Sequence, residues 1–305
     1  MTPGEVRPGP IVVGVDRSGR SRDALALARR LARATGARLL LVSVYPVGAR
    51  SATVERGAYA RALAEEAETA LDWVAAPLCG ARPEARAVPC TSIPRGLQQI
   101  AVTEGALAIV AGPSHRGPLG RLVQGSVGER LLRGAPCPIV VATGGCRHDV
   151  YEPIARIGVG YVATQEGDEA LRAAAGLAAR SGAVVRALSV VEAPAASAAR
   201  PFGWRTGMLE STAREQLATR IRSVTGGVEI HGEVVDGYAD DELAQLSREV
   251  DLLVCGSSGQ RAVGGVMASG VSAGVLRKAR CPLVLIPRGA RNGFATLGAP
   301  TTVAA

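Results

Sequence analysis

Aromatic residues are scarce in this sequence, because Phe, Trp and Tyr together make up 3% of its 305 residues. Few rings are therefore available to stack on nucleic-acid bases, and the cores must be built from Ala, Val and Leu. The formal net charge is +8, but it comes almost entirely from Arg, with Lys278 as the single lysine. The sequence contains no long basic run that could track a phosphate backbone, so we do not expect a nucleic-acid partner.

Paired cysteines and metal-ligand clusters are missing. None of the six cysteines forms a C-x-x-C pair and the three histidines are scattered, so no metal site is predicted. Cysteines in or beside apolar runs are typical of small, reduced core residues. No apolar run approaches the roughly 20 residues that span a membrane, and the start lacks the pattern of a signal peptide. We expect a cytoplasmic protein that does not contact membranes.

Signatures of several enzyme classes are also absent. Gly120-Arg-Leu-Val-Gln-Gly125-Ser126 imitates a Walker loop but lacks the lysine that contacts the β- and γ-phosphates. No G-x-G-x-x-G follows the first predicted strand, which disfavours a nicotinamide site. No general base or metal-ligand set is evident. The sequence therefore predicts no catalytic residues, and a weak ATPase activity ranks last among the functions considered.

The sequence contains an internal repeat. Ala106–Ala142 matches Asp251–Pro287, and the matched glycines, cysteines and prolines keep one offset. Ile11–Ala37 matches Ile157–Ala183 at nearly the same offset. Self-similarity at this spacing predicts two copies of one domain.

We assign residues 1–145 to the first domain and residues 151–290 to the second. Thr143–Arg156 is predicted to be a linker between them. Residues 291–305, which are rich in Gly, Ala and Thr, are predicted to be a disordered tail.

Each copy alternates short, continuously apolar runs with helical patterns, which indicates a doubly wound parallel α/β sheet. The predicted strands are Ile11–Val15, Arg38–Val44, Glu84–Val88, Ala106–Val110 and Ile139–Ala142, then Ile157–Tyr161, Val184–Val191, Val228–Val235, Leu252–Cys255 and Leu283–Ile286. The predicted helices are Arg22–Thr35, Tyr59–Leu78, Ser92–Thr103, Asp168–Arg180, Leu209–Val224 and Asp240–Glu249.

The stretch after the fourth strand of the first copy suggests an anion site. A Gly-, Pro- and Ser-rich loop, Gly112–Gly125, leads into Ser126-Val-Gly-Glu129, a capping box that starts a short helix ending near Gly134. Unpaired N–H groups at a helix start favour a phosphate. A plain loop with an ordinary helix cap explains the same residues, and both interpretations stay open.

Two segments carry a family resemblance. VGVDRSGRSRDALALA at the first strand and GPSHRGPLGRLVQGSVGERLLRGAPCPIVV after the fourth, with their counterparts in the second half, resemble the tandem universal stress proteins. The resemblance implies two Rossmann-like domains of the adenine nucleotide alpha hydrolase type, packed through their last strands about a pseudo-two-fold axis. Such a chain can be its own dimer, with a further homodimer as an additional expectation.

The resemblance also implies an ATP site. Family members that bind ATP carry G-x2-G-x9-G-[ST] after the fourth strand and an Asp at the end of the first. If the motif is carried over to this sequence, the resemblance implies that Asp16 and Val44 lie beside the base. It also implies that Gly112, Gly125 and Ser126 lie around the ribose and phosphates. Each also has a structural explanation, as a cap, a core residue or a loop glycine.

The first copy departs from the motif at its second glycine, which is His115. His115 either obstructs the phosphates or donates a hydrogen bond to one, and a solvated surface histidine is the simpler reading. A second hydroxyl often found in the family is replaced by Gly128.

The second copy keeps Gly256 and Gly259, but the following pair is reversed to Ser269-Gly270. Val162 takes the place of Asp16 and cannot hydrogen-bond a ligand, which lowers affinity by roughly one to two decades. The sequence therefore predicts a stress-response regulator that binds ATP, with or without Mg²⁺, in the first domain only. The alternative is a scaffold that binds no nucleotide and acts through an unknown regulatory protein partner.

Overall fold

The computed structural model describes residues 8–47, 54–76, 83–113, 127–192, 203–224, 227–257, 271–290 and 293–298. The chain divides into two compact units. The first comprises residues 1–152 and 289–292, and the second comprises residues 153–288 and 293–305.

Among the described residues of the first unit, five parallel strands form the sheet. They are β1 (Ile11–Gly14), β2 (Leu39–Pro46), β3 (Glu84–Cys90), β4 (Ala108–Ala111) and β5 (Ile139–Val141). They run in the order β3–β2–β1–β4–β5, so the strand order reverses between β1 and β4. The helices of this unit are α1 (Gly19–Thr35), α2 (Val54–Ala75), α3 (Ile93–Thr103) and α4 (Val127–Leu132).

The apolar runs form the centre of this sheet, as predicted. Ile11, Val12 and Val13 of β1 are fully buried, and Leu27 and Leu31 of α1 cover them with no exposure of their own. A strand buried on both faces needs such a continuous apolar run. Burial of apolar side chains such as these stabilises the first unit.

Local signals define the helix ends in the first unit. α1 stops at Gly36, whose φ of 73° lets its N–H reach the carbonyl of Ala32. At the start of α3 the hydroxyl of Ser92 accepts a hydrogen bond from the N–H of Arg95, with Pro94 in the first turn. Both boundaries follow the sequence prediction.

The second unit repeats this topology. Its strands are β6 (Arg156–Gly160), β7 (Val184–Val191), β8 (Ile230–Asp236), β9 (Leu252–Gly256) and β10 (Leu283–Ile286). They are parallel, in the order β8–β7–β6–β9–β10. Its helices are α5 (Gln165–Ser181), α6 (Gly203–Val224), α7 (Ala239–Leu246) and α8 (Val271–Lys278). The predicted fold class, tandem parallel α/β domains, is confirmed, although α8 was not among the predicted helices.

The predicted linker, Thr143–Arg156, is more ordered than a free connection. Residues 146–148 form a 3-10 turn, and the buried carboxylate of Asp23 in α1 accepts hydrogen bonds from the Arg147 backbone N–H (3.0 Å) and guanidinium (3.3 Å). Arg30 of α1 donates to the carbonyl of Glu152 at 2.8 Å. These bonds compensate charges that α1 buries, so the segment packs onto α1.

Part of the predicted tail is also ordered. Phe294–Gly298 forms a 3-10 helix that packs against α5 of the second unit. Phe294 is 1% exposed and ranks among the largest fully buried side chains. The expectation of disorder is therefore wrong for residues 293–298, because one aromatic side chain supplies enough apolar burial to hold the turn.

Candidate functional site

Three predicted site residues lie at the carboxyl ends of neighbouring strands in the first unit. Gly14, the last residue of β1, pairs with Val42 of β2. Asp16 lies two residues beyond the end of β1, and Val44 lies two residues further along β2. Gly112 directly follows β4, which lies on the other side of β1. The sheet therefore brings Asp16, Val44 and Gly112 to one edge, at the point where the strand order reverses.

Hydroxyl groups hold the carboxylate of Asp16. Its Oδ1 accepts hydrogen bonds from the hydroxyls of Ser18 and Ser21, the latter at 2.6 Å. The Ser21 hydroxyl in turn accepts the backbone N–H of Asp16 at 2.8 Å. The Asp16 side chain nevertheless remains 58% exposed, so it is oriented by the protein and open to solvent.

The pKa of Asp16 lies below its ordinary value. Burial acts to raise the pKa, but the hydrogen bonds from Ser18 and Ser21 and the charge of Arg20 outweigh it. Asp16 is therefore ionised at neutral pH and can accept hydrogen bonds from a ligand.

Arg20 is a member of this edge that the sequence analysis missed. Its Nη2 lies 3.3 Å from Oδ2 of Asp16. The spacing of four residues between the two was the available signal, since opposite charges at this spacing pair in helices. It was overlooked because Asp16 precedes the helix.

Gly112 has a packing role. A Cβ atom at Gly112 would lie 2.7 Å from the carbonyl oxygen of Arg20, and one at Gly256 would lie 2.8 Å from that of Glu166. In each copy a glycine after the fourth strand therefore lets the first turn of the first helix approach the strand end.

Val44 is half-buried and also packs within the fold. A Cβ atom at Gly96 of α3 would lie 2.8 Å from Cγ1 of Val44, so the valine fills the space that this glycine leaves. The structural explanation of Val44 is thus supported, and its exposed fraction keeps it at the candidate site.

Four predicted site residues, His115, Gly125, Ser126 and Gly259, lie outside the described residues, as does Ser269-Gly270. The predicted helix after Ser126 is present as α4, and its last turn is capped by Gln98, which donates to the carbonyls of Leu131 and Arg133, both at 2.8 Å.

The second unit lacks the arrangement of an aspartate held by two serine hydroxyls that the first unit has at Asp16. Val162, at the position of Asp16, is 55% exposed. The counterpart of Ser21 is Gly167, where a Cβ atom would lie 1.9 Å from the carbonyl oxygen of Val162, so no side chain fits there. The counterpart of Ser18 is Thr164, which caps α5 by accepting the Gly167 N–H at 3.2 Å.

Charge is reversed at the position of Arg20. Its counterpart in the second unit is Glu166, a buried carboxylate that pairs with the guanidinium of Arg288. Burial acts to raise the pKa of Glu166, but hydrogen bonds from its own backbone N–H and from Arg288 lower it overall. The two copies therefore carry opposite charges beside equivalent glycines, and in the second copy Arg288 compensates the buried carboxylate.

One further pattern resembles a hydrolase signature. Gly270-Val-Ser-Ala-Gly274 has the spacing of a nucleophile elbow, which requires a sharp turn from a strand into a helix. β9 ends at Gly256 and α8 begins at Val271, so Ser272 lies inside a helix and does not directly follow a strand. This arrangement disfavours the hydrolase interpretation.

In the part of the chain that the structure describes, no group of three or more His, Cys, Asp and Glu side chains is arranged to hold a metal ion. Within the same ranges, no helix has both the length and the apolar character needed to cross a bilayer.

A family model describing the universal stress protein family matches residues 9–143 and again residues 153–287. The chain belongs to the universal stress protein family. A universal stress protein of Mycobacterium tuberculosis is 36% identical over 72 residues, which are 24% of this chain and 23% of that protein. The matched segment thus spans about a quarter of this curated relative.

Solved universal stress proteins share the fold over nearly the whole chain. One from Archaeoglobus fulgidus has a TM-score of 0.62 at 18% identity, covering 92% of this chain and 97% of that one. A putative universal stress protein from Pseudomonas aeruginosa has a TM-score of 0.60 at 16% identity, covering 93% of this chain and 94% of that one. Similarity at this level concerns the fold alone.

Proposed function

We propose that this universal stress protein binds ATP at the carboxyl edge of its first domain and acts as a nucleotide-dependent regulator, without catalysis. The observation that carries the proposal is that Asp16 and Gly112 follow β1 and β4, the two strands between which the strand order reverses. Ligands of open parallel sheets bind in the crevice at such a point.

The proposed roles follow the chemistry of the residues. Asp16 accepts a hydrogen bond from the adenosine part, and Val44 contacts the base. Gly112, with Gly125 and Ser126, forms the backbone around the ribose and phosphates, with or without Mg²⁺. His115 lies on the same loop in the sequence and contacts a phosphate or limits access to it.

We propose that the second domain binds no nucleotide, even though it retains Gly256 and Gly259. Val162 offers no hydrogen bond, and the close contact at Gly167 excludes a side chain that could replace Ser21. Glu166 replaces the cation of Arg20 with a carboxylate that is buried and paired with Arg288. The domain boundaries at residues 1–145 and 151–290, a cytoplasmic location, a homodimer and a regulatory protein partner are further parts of this proposal.

The first experiment measures nucleotide released from the purified, denatured protein by anion exchange, followed by titration with Mg-ATP. We expect about one adenine nucleotide per chain. Asp16→Ala should weaken ATP binding by roughly tenfold or more, because a charged hydrogen-bond acceptor for the ligand is lost. Val162→Ala, at the equivalent position of the second domain, is the matched control and should leave ATP affinity unchanged.

Two other results would contradict the proposal. Two nucleotides per chain would mean that the second domain binds as well. Unchanged ATP affinity in Asp16→Ala, with native circular dichroism, would mean that the ligand lies elsewhere.

The second candidate function is a scaffold that acts through protein contacts. It is favoured by the packing of Gly112 on Arg20 and of Val44 on Gly96, which account for both residues without a ligand. A purified protein without nucleotide, confirmed by no thermal shift with Mg-ATP, would support the scaffold over the ATP-binding regulator.

A further inference from the structure

Arg20 lies between two residues of the proposed site. One guanidinium nitrogen is 3.3 Å from the carboxylate of Asp16, and the side chain is 23% exposed. The backbone of Arg20 packs on Gly112, the first residue of the loop proposed to surround the phosphates. The cation is therefore held at the start of α1, at the same strand edge as Asp16 and Gly112.

The second copy provides an internal comparison. Glu166 has the same backbone environment as Arg20, since its carbonyl faces Gly256 as that of Arg20 faces Gly112. Its side chain carries the opposite charge and is buried against Arg288. The same backbone packing thus occurs with either charge at this position, and in the second copy Arg288 compensates the carboxylate.

We infer that Arg20 determines which ligand class the first domain accepts, by selecting nucleotides with more than one phosphate group. A guanidinium carries five N–H donors in a planar fork, so it can contact a carboxylate and a phosphate at once. Asp16 orients this fork, whereas the equivalent position of the second domain carries Glu166, which is buried and paired with Arg288. The inference rests on the proposed function, because it concerns the same site.

The test compares the dissociation constants of ATP, ADP and AMP for the full-length chain at constant ionic strength, by calorimetry. The wild type should bind ATP more tightly than AMP. Arg20→Gln should weaken ATP binding roughly tenfold or more and change AMP binding by less than about twofold. Arg20→Lys, which keeps the charge without the fork, should retain part of the preference for ATP.

Arg33→Gln is the matched control. It removes the same charge from an exposed arginine in the last turn of the same helix, and it should leave all three dissociation constants unchanged. This control separates a local contact from the effect of net charge.

Two results would overturn the inference while the proposed function stands. Equal weakening of ATP, ADP and AMP in Arg20→Gln would make Arg20 a positioning residue for Asp16. An unchanged ATP affinity would remove Arg20 from the site. If the wild type bound none of the three nucleotides, the proposed function itself would fail.

Discussion

The first turn of α1 touches the end of β4 through two named residues: a Cβ atom at Gly112 would lie 2.7 Å from the carbonyl oxygen of Arg20. Gly256 and Glu166 repeat the contact in the second domain at 2.8 Å. Because both copies need it, the glycine contributes to stability as well as to the proposed site.

Gly112→Ala should therefore lower the free energy of unfolding by about 1–3 kcal/mol, because a methyl group would force backbone atoms apart. Urea unfolding without nucleotide measures the effect. Gly57→Ala is the control, because Gly57 lies in α2 with nothing within 4 Å of its added Cβ. That change should raise stability by about 0.5–1 kcal/mol. Unchanged stability in Gly112→Ala would contradict the packing role.

Asp16 should make stability depend on acid pH. Its pKa in the folded state is below the ordinary value of 3.8, so the folded state binds its proton less readily than the unfolded state. The stabilisation is present above about pH 3.8 and is lost as the pH falls through the folded pKa. The difference in unfolding free energy between wild type and Asp16→Asn should be constant from pH 7 to pH 5 and shrink on further acidification. A difference that grows in acid would contradict this sign.

Two buried cysteines should resist alkylation. Burial raises the pKa of Cys137 to about 12, and likewise that of Cys255, so almost no thiolate exists at pH 8. Iodoacetamide followed by peptide mass spectrometry should label half-buried Cys90 well before either of them. The urea-unfolded chain is the control, in which all three should react at similar rates. Rapid labelling of Cys137 or Cys255 in the native state would contradict their burial.

Phe294 should matter for stability although it lies in the predicted tail. Phe294→Ala should lower the free energy of unfolding by about 3–5 kcal/mol, as for other buried phenylalanines. Val102→Ala, at a side chain that is 66% exposed, should change it by less than about 0.5 kcal/mol. Equal effects of the two changes would mean that the turn at residues 294–298 does not pack on α5 in solution.

The sequence by itself determined the fold and much of the element layout. Strands buried on both faces require unbroken apolar runs, which is why Leu283–Ile286 was predicted with its observed bounds. The bounds of Val184–Val191 were also predicted, although Arg186 and Ser189 interrupt its apolar run. The cap at Ser92 and the stop at Gly36 depend on contacts within a few residues. The repeat added the tandem organisation, because each copy carries the same local signals.

Only the tertiary structure decided the environment of the candidate site. Three contacts join residues about 90 to 120 positions apart in the sequence, and no local pattern specifies contacts at that distance. They are the packing of Gly112 on Arg20 and the ion pairs of Glu166 with Arg288 and of Asp23 with Arg147. Phe294 is likewise buried because its turn packs against α5, which is far away in the sequence. The sequence analysis identified Asp16 and Val162 as different. The close approach of the Val162 carbonyl to Gly167, which leaves no room for a side chain in place of Ser21, is visible only in the structure.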